Sequence, residues 1–231
     1  TSGMVNTGNL SSTTGVTVSS AGAATLGMLT SSTGNISATS ATSLTTGNAT
    51  ATSGTITLTA ASGITTGALT GADVGLANTM GTITTGLITS SNGFTLNTPS
   101  ALNLAGVTST TGDIAITSTA AGASSVGNLA ANAATGDISV SAATLTVGSS
   151  SAGATTALTS TVGDLTTGAV TSGSNASLTS AGALTTGNIT STTGSISLDA
   201  GGVITSGDLT ALSGSISIAN ILGTITTGLV S

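Results

Sequence analysis

Six aspartates are the only ionisable side chains in this sequence of 231 residues, which has no Lys, Arg, His, Cys, Tyr or Glu. Two carboxylates about 5–10 Å apart could serve as the acid and base of a glycoside hydrolase. Carboxylate oxygens could also bind Ca²⁺ together with backbone carbonyls. The six residues are Asp73, Asp113, Asp137, Asp164, Asp199 and Asp208.

Asp113 and Asp137 are the best candidates for a shared site, because each directly follows a glycine, Gly112 or Gly136, at equivalent places in consecutive repeats. A calcium ion between them is one hypothesis. Two carboxylates are few ligands, however, and the Gly-Gly-x-Gly-x-Asp motif of calcium-binding β-rolls is absent from the sequence. We therefore favour solvated turn residues at both positions, and we expect no catalytic site and no cofactor.

The composition excludes most other chemistry. A nucleic-acid surface needs basic groups to neutralise phosphates, and this chain has none. Zinc sites and thiol chemistry depend on His and Cys. A serine nucleophile needs a neighbouring base, and neither His nor Lys is present. The sequence therefore predicts a protein that is not an enzyme and does not bind nucleic acid.

Threonine and asparagine supply two further candidate surfaces. Stacked threonines could bind ice or carbohydrate, or they could simply occupy outward strand positions, which they favour. One column holds Thr45, Thr65, Thr84, Thr146, Thr166, Thr185, Thr205 and Thr226, and the other holds Thr30, Thr50, Thr70, Thr89, Thr108, Thr171, Thr190 and Thr210. Surface glycans are possible at Asn-x-Ser/Thr triplets, although Asn is also a natural turn residue. These triplets begin at Asn9, Asn35, Asn48, Asn175 and Asn188.

The element that must position all these residues is a repeat marked by glycine. Gly8 and Gly228 are 220 residues apart, and eleven intervals divide that span, with an average of 20. A fixed period of this size indicates units that bury their apolar faces only by stacking on one another. The anchor positions are Gly8, Gly27, Gly47, Gly67, Gly86, Ala105, Gly127, Gly148, Gly168, Gly187, Gly207 and Gly228.

Aliphatic residues recur at four places in each repeat: three residues before the anchor, and two, about nine and about eleven residues after it. Alternation of apolar and small polar residues, as in 194–198, predicts strands. Strict alternation from Leu184 does not reach Ile189, so we expect a register shift at Gly187. The anchor glycine should have a positive φ, or lie where coils approach too closely for a Cβ.

Three irregularities are expected to change the coil locally. The interval from Ala105 to Gly127 is 22 residues long, which predicts a lateral loop or bulge. Ser124 and Ser150 stand where aliphatic residues are expected, and Pro99, the single proline, should lie in a turn. The fold prediction is an all-β chain, a single parallel β-helix or solenoid of about 11–12 coils of roughly 20 residues.

Segments such as 112–116, 187–190 and 194–198 resemble the repeats of filamentous-haemagglutinin-like exoproteins and related giant bacterial adhesins. The resemblance implies a right-handed parallel β-helix, export across the envelope, and a rod that holds adhesive regions away from the cell.

We therefore expect residues 1–231 to form one solenoid domain without polar caps. The predicted function is structural, as the shaft of a secreted or cell-surface bacterial fibre, adhesin or matrix. The alternative is a module that binds ice or carbohydrate through its Thr columns. The expected partners are further coils, supplied by the same chain or by end-to-end stacking of copies, with no insertion into a membrane. The expected location is extracellular or on the cell surface.

Overall fold

The computed structural model describes residues 3–231, and in this part of the chain every regular element is a strand. The first four coils contain β1 (Val5–Thr7), β2 (Leu10–Ser12), β3 (Val16–Ser20), β4 (Ala24–Leu26), β5 (Leu29–Ser31), β6 (Ile36–Ser40), β7 (Leu44–Thr46), β8 (Ala49–Ala51), β9 (Ile56–Ala60), β10 (Ile64–Thr66), β11 (Leu69–Gly71) and β12 (Val74–Asn78). The middle coils contain β13 (Thr82–Ser90), β14 (Phe94–Thr98), β15 (Ala101–Ser109), β16 (Ile114–Ser118), β17 (Ala123–Ala131) and β18 (Ile138–Ala142). The remaining coils contain β19 (Thr144–Val147), β20 (Ser150–Ala152), β21 (Thr156–Ser160), β22 (Leu165–Thr167), β23 (Val170–Ser172), β24 (Ala176–Ser180), β25 (Leu184–Thr186), β26 (Ile189–Ser191), β27 (Ile196–Ala200), β28 (Ile204–Ser206), β29 (Leu209–Ala211), β30 (Ile216–Asn220) and β31 (Ile225–Thr226).

These strands stack as a parallel β-solenoid of about eleven turns, which confirms the predicted fold class. In a typical coil, β7 and β8 flank the anchor Gly47, and β9 follows after a turn. With one exception, strands pair in parallel with their equivalents in the next coil, so that Leu44 lies beside Ile64 and Ile56 lies beside Val74. Strands on either side of the anchors belong to one 20-stranded sheet.

The strands after the second turn form the remaining face, which is divided into two sheets. One contains β3, β6, β9 and β12, and the other runs from β14 to β30. Among residues 3–231, no parallel register joins β12 to β14. The solenoid therefore has a discontinuity on this face alone, while β13 and β15 remain paired along eight positions beside it.

The four predicted aliphatic columns all point inward. Leu165, Leu184 and Ile204 stack in register in the first column and are fully buried. The other columns behave alike, with Val170 beside Ile189 and Leu178 beside Leu198. Each aliphatic side chain thus contacts its equivalents above and below, and full burial contributes about 1.5–3 kcal/mol for each large one.

Small hydroxyl side chains fill the inner positions at the strand ends. Ser172 and Ser180 are buried, and each hydroxyl lies within hydrogen-bonding distance of backbone carbonyls of its own and the preceding coil. Ser172 Oγ is 2.7 Å from the carbonyl oxygen of Ala154 and 2.8 Å from that of Asn175. These serines satisfy backbone groups that the turns would otherwise leave unpaired inside the rod.

The anchor glycines are required by close approach of the backbone. None of them has a positive φ, so the first of the two expected explanations is wrong. A Cβ on Gly47 would instead lie 3.2 Å from the carbonyl carbon of Gly27, and one on Gly168 would overlap the carbonyl oxygen of Gly148. Glycine is therefore retained because successive coils contact each other through bare backbone at this position.

The predicted register shift is confirmed. Thr186 and Ile189 are both buried, although Gly187 and Asn188 separate them, so two successive residues stay outside the core.

The anchor is not always a corner, because β13, β15 and β17 run through it as single strands. The longer Ala105–Gly127 interval has its additional residues in the turn at 119–122, between β16 and β17. Ser150 takes an aliphatic place in its column, between Leu129 and Val170.

Candidate functional site

Asp113 and Asp137 lie together at the turns that precede β16 and β18. The carboxylate oxygen Oδ1 of Asp113 accepts a 2.9 Å hydrogen bond from the backbone N–H of Asp137. The carboxylate of Asp137 in turn accepts a 2.8 Å bond from the backbone N–H of Thr155 in the next coil. The two side chains therefore cap turns between coils, and each already uses one oxygen for this purpose.

A calcium ion at this pair would need further oxygen ligands, because Ca²⁺ takes six to eight. Residues 3–231 contain no group of three or more His, Cys, Asp or Glu side chains that could hold a metal ion. Calcium between Asp113 and Asp137 stays a prediction. The geometry supports turn capping as the primary role of both side chains, since a carboxylate stabilises a backbone N–H that strand pairing leaves free.

Three of the other aspartates also bind the following coil. Asp164 accepts a 2.8 Å bond from the N–H of Ala183, and Asp208 accepts one of the same length from Leu229. Asp73 binds the side-chain amide of Asn92 at 3.1 Å. Asp199 differs, because it points outward from the middle of β27. The structure does not bring the six carboxylates into a common cleft.

All five asparagines of the Asn-x-Ser/Thr triplets form the same kind of cap. In each case Oδ1 accepts a hydrogen bond from a backbone N–H in the next coil, about twenty residues later. The pairs are Asn9 with Met28, Asn35 with Thr55, Asn48 with Ala68, Asn175 with Ser195, and Asn188 with Asp208, at 2.8 to 3.0 Å. This contact gives the asparagines a structural role, and glycans on them stay a prediction.

The two threonine columns are regular ladders on the outside of the 20-stranded sheet. Thr166 pairs in register with Thr185 in the first, and Thr171 pairs with Thr190 in the second. Threonines of the first ladder are mostly exposed, whereas most of the second are half-buried. The first ladder is interrupted by Asn103 and Ser125, and the second by Ala130 and Ser151.

Residues 3–231 contain no helix long and apolar enough to cross a membrane. Comparisons with protein families, with curated proteins and with solved structures find no match to this chain.

Proposed function

We propose that this chain is a shaft segment of a secreted or cell-surface fibre, adhesin or extracellular matrix. The observation that carries the proposal is the unbroken parallel pairing of the 20-stranded sheet, which runs from β1 to β31. A core of the same aliphatic columns continues through all the coils along it. Such a rod has stability distributed along its length, because each coil interface adds a similar increment.

The outer surface is suited to a passive role outside the cell. It presents mainly hydroxyl, amide and small apolar groups, and the whole chain has a net charge of −6 with no Lys or Arg. Trypsin-like proteases therefore have no cleavage site in it. The resemblance of the repeats to those of filamentous-haemagglutinin-like exoproteins supports the same assignment to an exported rod.

Further coils are the proposed partners of this segment. In the final turn, Ile225 and Val230 are exposed, at positions that are buried in other coils of the rod. Those coils come either from the same polypeptide or from another copy that stacks end to end. The mass of the intact chain on a denaturing gel separates the two routes, because a band far above 21.1 kDa excludes unmodified separate protomers.

The proposed function is tested on intact cells of the organism that makes the protein. Antibodies raised against residues 3–231 should label filaments or a matrix outside the cell. Deletion of the coding sequence should remove the labelled structures. Label confined to the cell interior, or filaments that persist after the deletion, would overturn the proposal.

A binding module for ice or carbohydrate is the second candidate function. The in-register threonine ladders favour it, because hydroxyls repeat once per coil at the roughly 4.8 Å strand spacing. Thermal hysteresis of the purified chain would support an ice-binding surface, and its loss in Thr166→Lys, Thr185→Lys would assign that surface to the first ladder. Absence of hysteresis and of glycan binding by the ladders would rule this candidate out.

A further inference from the structure

A groove of about 400 Å³, lined by polar and apolar groups in similar proportion, opens on the outer face where β12 fails to pair with β14. Side chains of three consecutive coils line it, among them Thr57, Asp73, Asn92 and Thr95, together with the backbone of Gly75. The volume falls within the usual range of small-ligand sites. Nothing in the proposed shaft function uses this groove.

The groove contains a backbone donor that the fold leaves free. In the preceding coil, the N–H of Ile56 donates to the carbonyl oxygen of Asp73 at 2.9 Å, and in the following coil Phe94 donates to Asp113 at 2.8 Å. The equivalent bond from Val74 is missing from the backbone hydrogen bonds of residues 3–231. Val74 is one of the residues that line the groove, and 4% of its surface is exposed.

Gly75 enlarges the groove without a structural reason to be glycine. It does not have a positive φ, and an added Cβ would meet only the carbonyl oxygen of Ile56, at 3.8 Å. Thr57 and Thr95 occupy the same outward position in the adjoining coils. Glycine inside a strand costs about 0.5–1 kcal/mol relative to alanine. The glycine therefore leaves space above the backbone that a threonine side chain fills in the adjoining coils.

Asp73 does not form the backbone cap that residues at the same place form in other coils. Asn35 and Asp113, at the same place in other coils, each cap the backbone N–H of the residue one coil later. Asp73 instead accepts from the side-chain amide of Asn92 through Oδ2. Its Oδ1 accepts no hydrogen bond from residues 3–231, so it is available to a ligand.

We propose that this groove binds a neutral saccharide, with about one or two sugar rings seated over Gly75. Vicinal sugar hydroxyls both donate and accept, which matches the Asp73 carboxylate, the free Val74 N–H and the hydroxyls of Thr57 and Thr95. Anionic sugars and phosphates are disfavoured, because the chain has no cationic side chain to pair with them. A metal ion is disfavoured by the N–H donor and by the presence of a single carboxylate.

This inference does not rest on the shaft function, since a rod with an empty groove could still be a shaft. The test uses saturation-transfer NMR and calorimetry on the 231-residue chain. The probes are neutral di- and trisaccharides of glucose, galactose, mannose and N-acetylglucosamine. At least one should bind at millimolar concentration or tighter. Gly75→Thr, which restores the residue found in the adjoining coils, should weaken that binding at least tenfold without lowering the melting temperature.

Ala157→Thr is the matched control, because Ala157 has the same outward position in β21, on the intact part of this face. It should leave binding unchanged. Asp73→Asn should weaken binding while the rod stays folded. The proposal is overturned if no probe binds, if Gly75→Thr binds as tightly as the original chain, or if Ca²⁺ alone binds and requires Asp73.

Discussion

The backbone N–H of Gly168 donates a 2.7 Å hydrogen bond to the carbonyl oxygen of Gly148, and a Cβ on Gly168 would overlap that same oxygen. This relationship recurs along the rod, since Gly187 donates to Gly168, and Gly207 donates to Gly187. Glycine therefore recurs with this period because the backbones of successive coils contact each other at these positions. A methyl group on Gly168 would overlap the oxygen that its own N–H binds, whereas Ala105 accommodates a Cβ where β13 and β15 run through the anchor as single strands.

Replacing Gly168 by alanine should destabilise the rod by about 1–3 kcal/mol, because the new methyl group meets fixed backbone and cannot be accommodated by a side-chain rotation. Urea unfolding followed by circular dichroism measures the change. Gly75→Ala is the control, since its Cβ has free space, and it should be neutral or stabilising by up to about 1 kcal/mol. Equal effects of the two substitutions would contradict the assigned role of the anchor.

Thr156→Val should stabilise the protein by about 1 kcal/mol. The hydroxyl of Thr156 is buried and has no hydrogen-bond partner among residues 3–231, and valine has nearly the same shape. Ser172→Ala should do the opposite, because Ser172 donates to backbone carbonyls inside the rod. The melting temperatures of the two variants, compared with that of the original chain, measure both effects. A lower melting temperature for Thr156→Val would contradict a buried hydroxyl without a hydrogen-bond partner.

Leu178→Ala should cost about 2–5 kcal/mol, because Leu178 is fully buried between Leu158 and Leu198 in the fourth column. Ser177→Ala, one residue away on the outer face, should stay within about 0.5 kcal/mol of the original chain. Chemical denaturation of both variants checks the inward and outward assignment. A larger loss at Ser177 than at Leu178 would mean that the strand register is wrong.

The backbone amide of Val74 should exchange with solvent faster than that of Ile56. Ile56 donates to Asp73 in the next coil, whereas Val74 has no equivalent acceptor. Hydrogen exchange resolved to peptides that cover β9 and β12 measures the difference. Equal, strong protection of both amides would show that this face is continuous and that the groove is closed.

The repeat, the four aliphatic columns and the shift at Gly187 could be predicted because they follow from the pattern within one coil. The reason for the anchor glycine could not be chosen from the sequence, since it depends on a contact between coils. The missing pairing between β12 and β14 beside Gly75 could not be predicted either, although the length of the turn before β12 indicates an irregular coil. Only Ala72 and Asp73 connect β11 to β12, whereas four residues connect β8 to β9. A shorter turn displaces a strand relative to its neighbour, and the alternation of apolar residues does not record that displacement.

For the candidate sites, too, the sequence predicts which residues lie close together but not which groups they contact. The proximity of Asp113 and Asp137 was predictable from their equivalent places in consecutive repeats. Their use as caps was not, and neither was the identical role of asparagines such as Asn48 and Asn188. Side-chain capping of the next coil depends on which backbone N–H groups the strands leave unpaired.

A reconstruction of the native assembly by electron cryomicroscopy, at a resolution that separates strands, tests the central claim most directly. The shaft account predicts an extracellular filament in which this chain forms about eleven coils of roughly 4.8 Å spacing, about 55 Å of rod, continued at both ends by further coils. A compact particle, or a filament in which this chain does not stack coil upon coil along the axis, would contradict it.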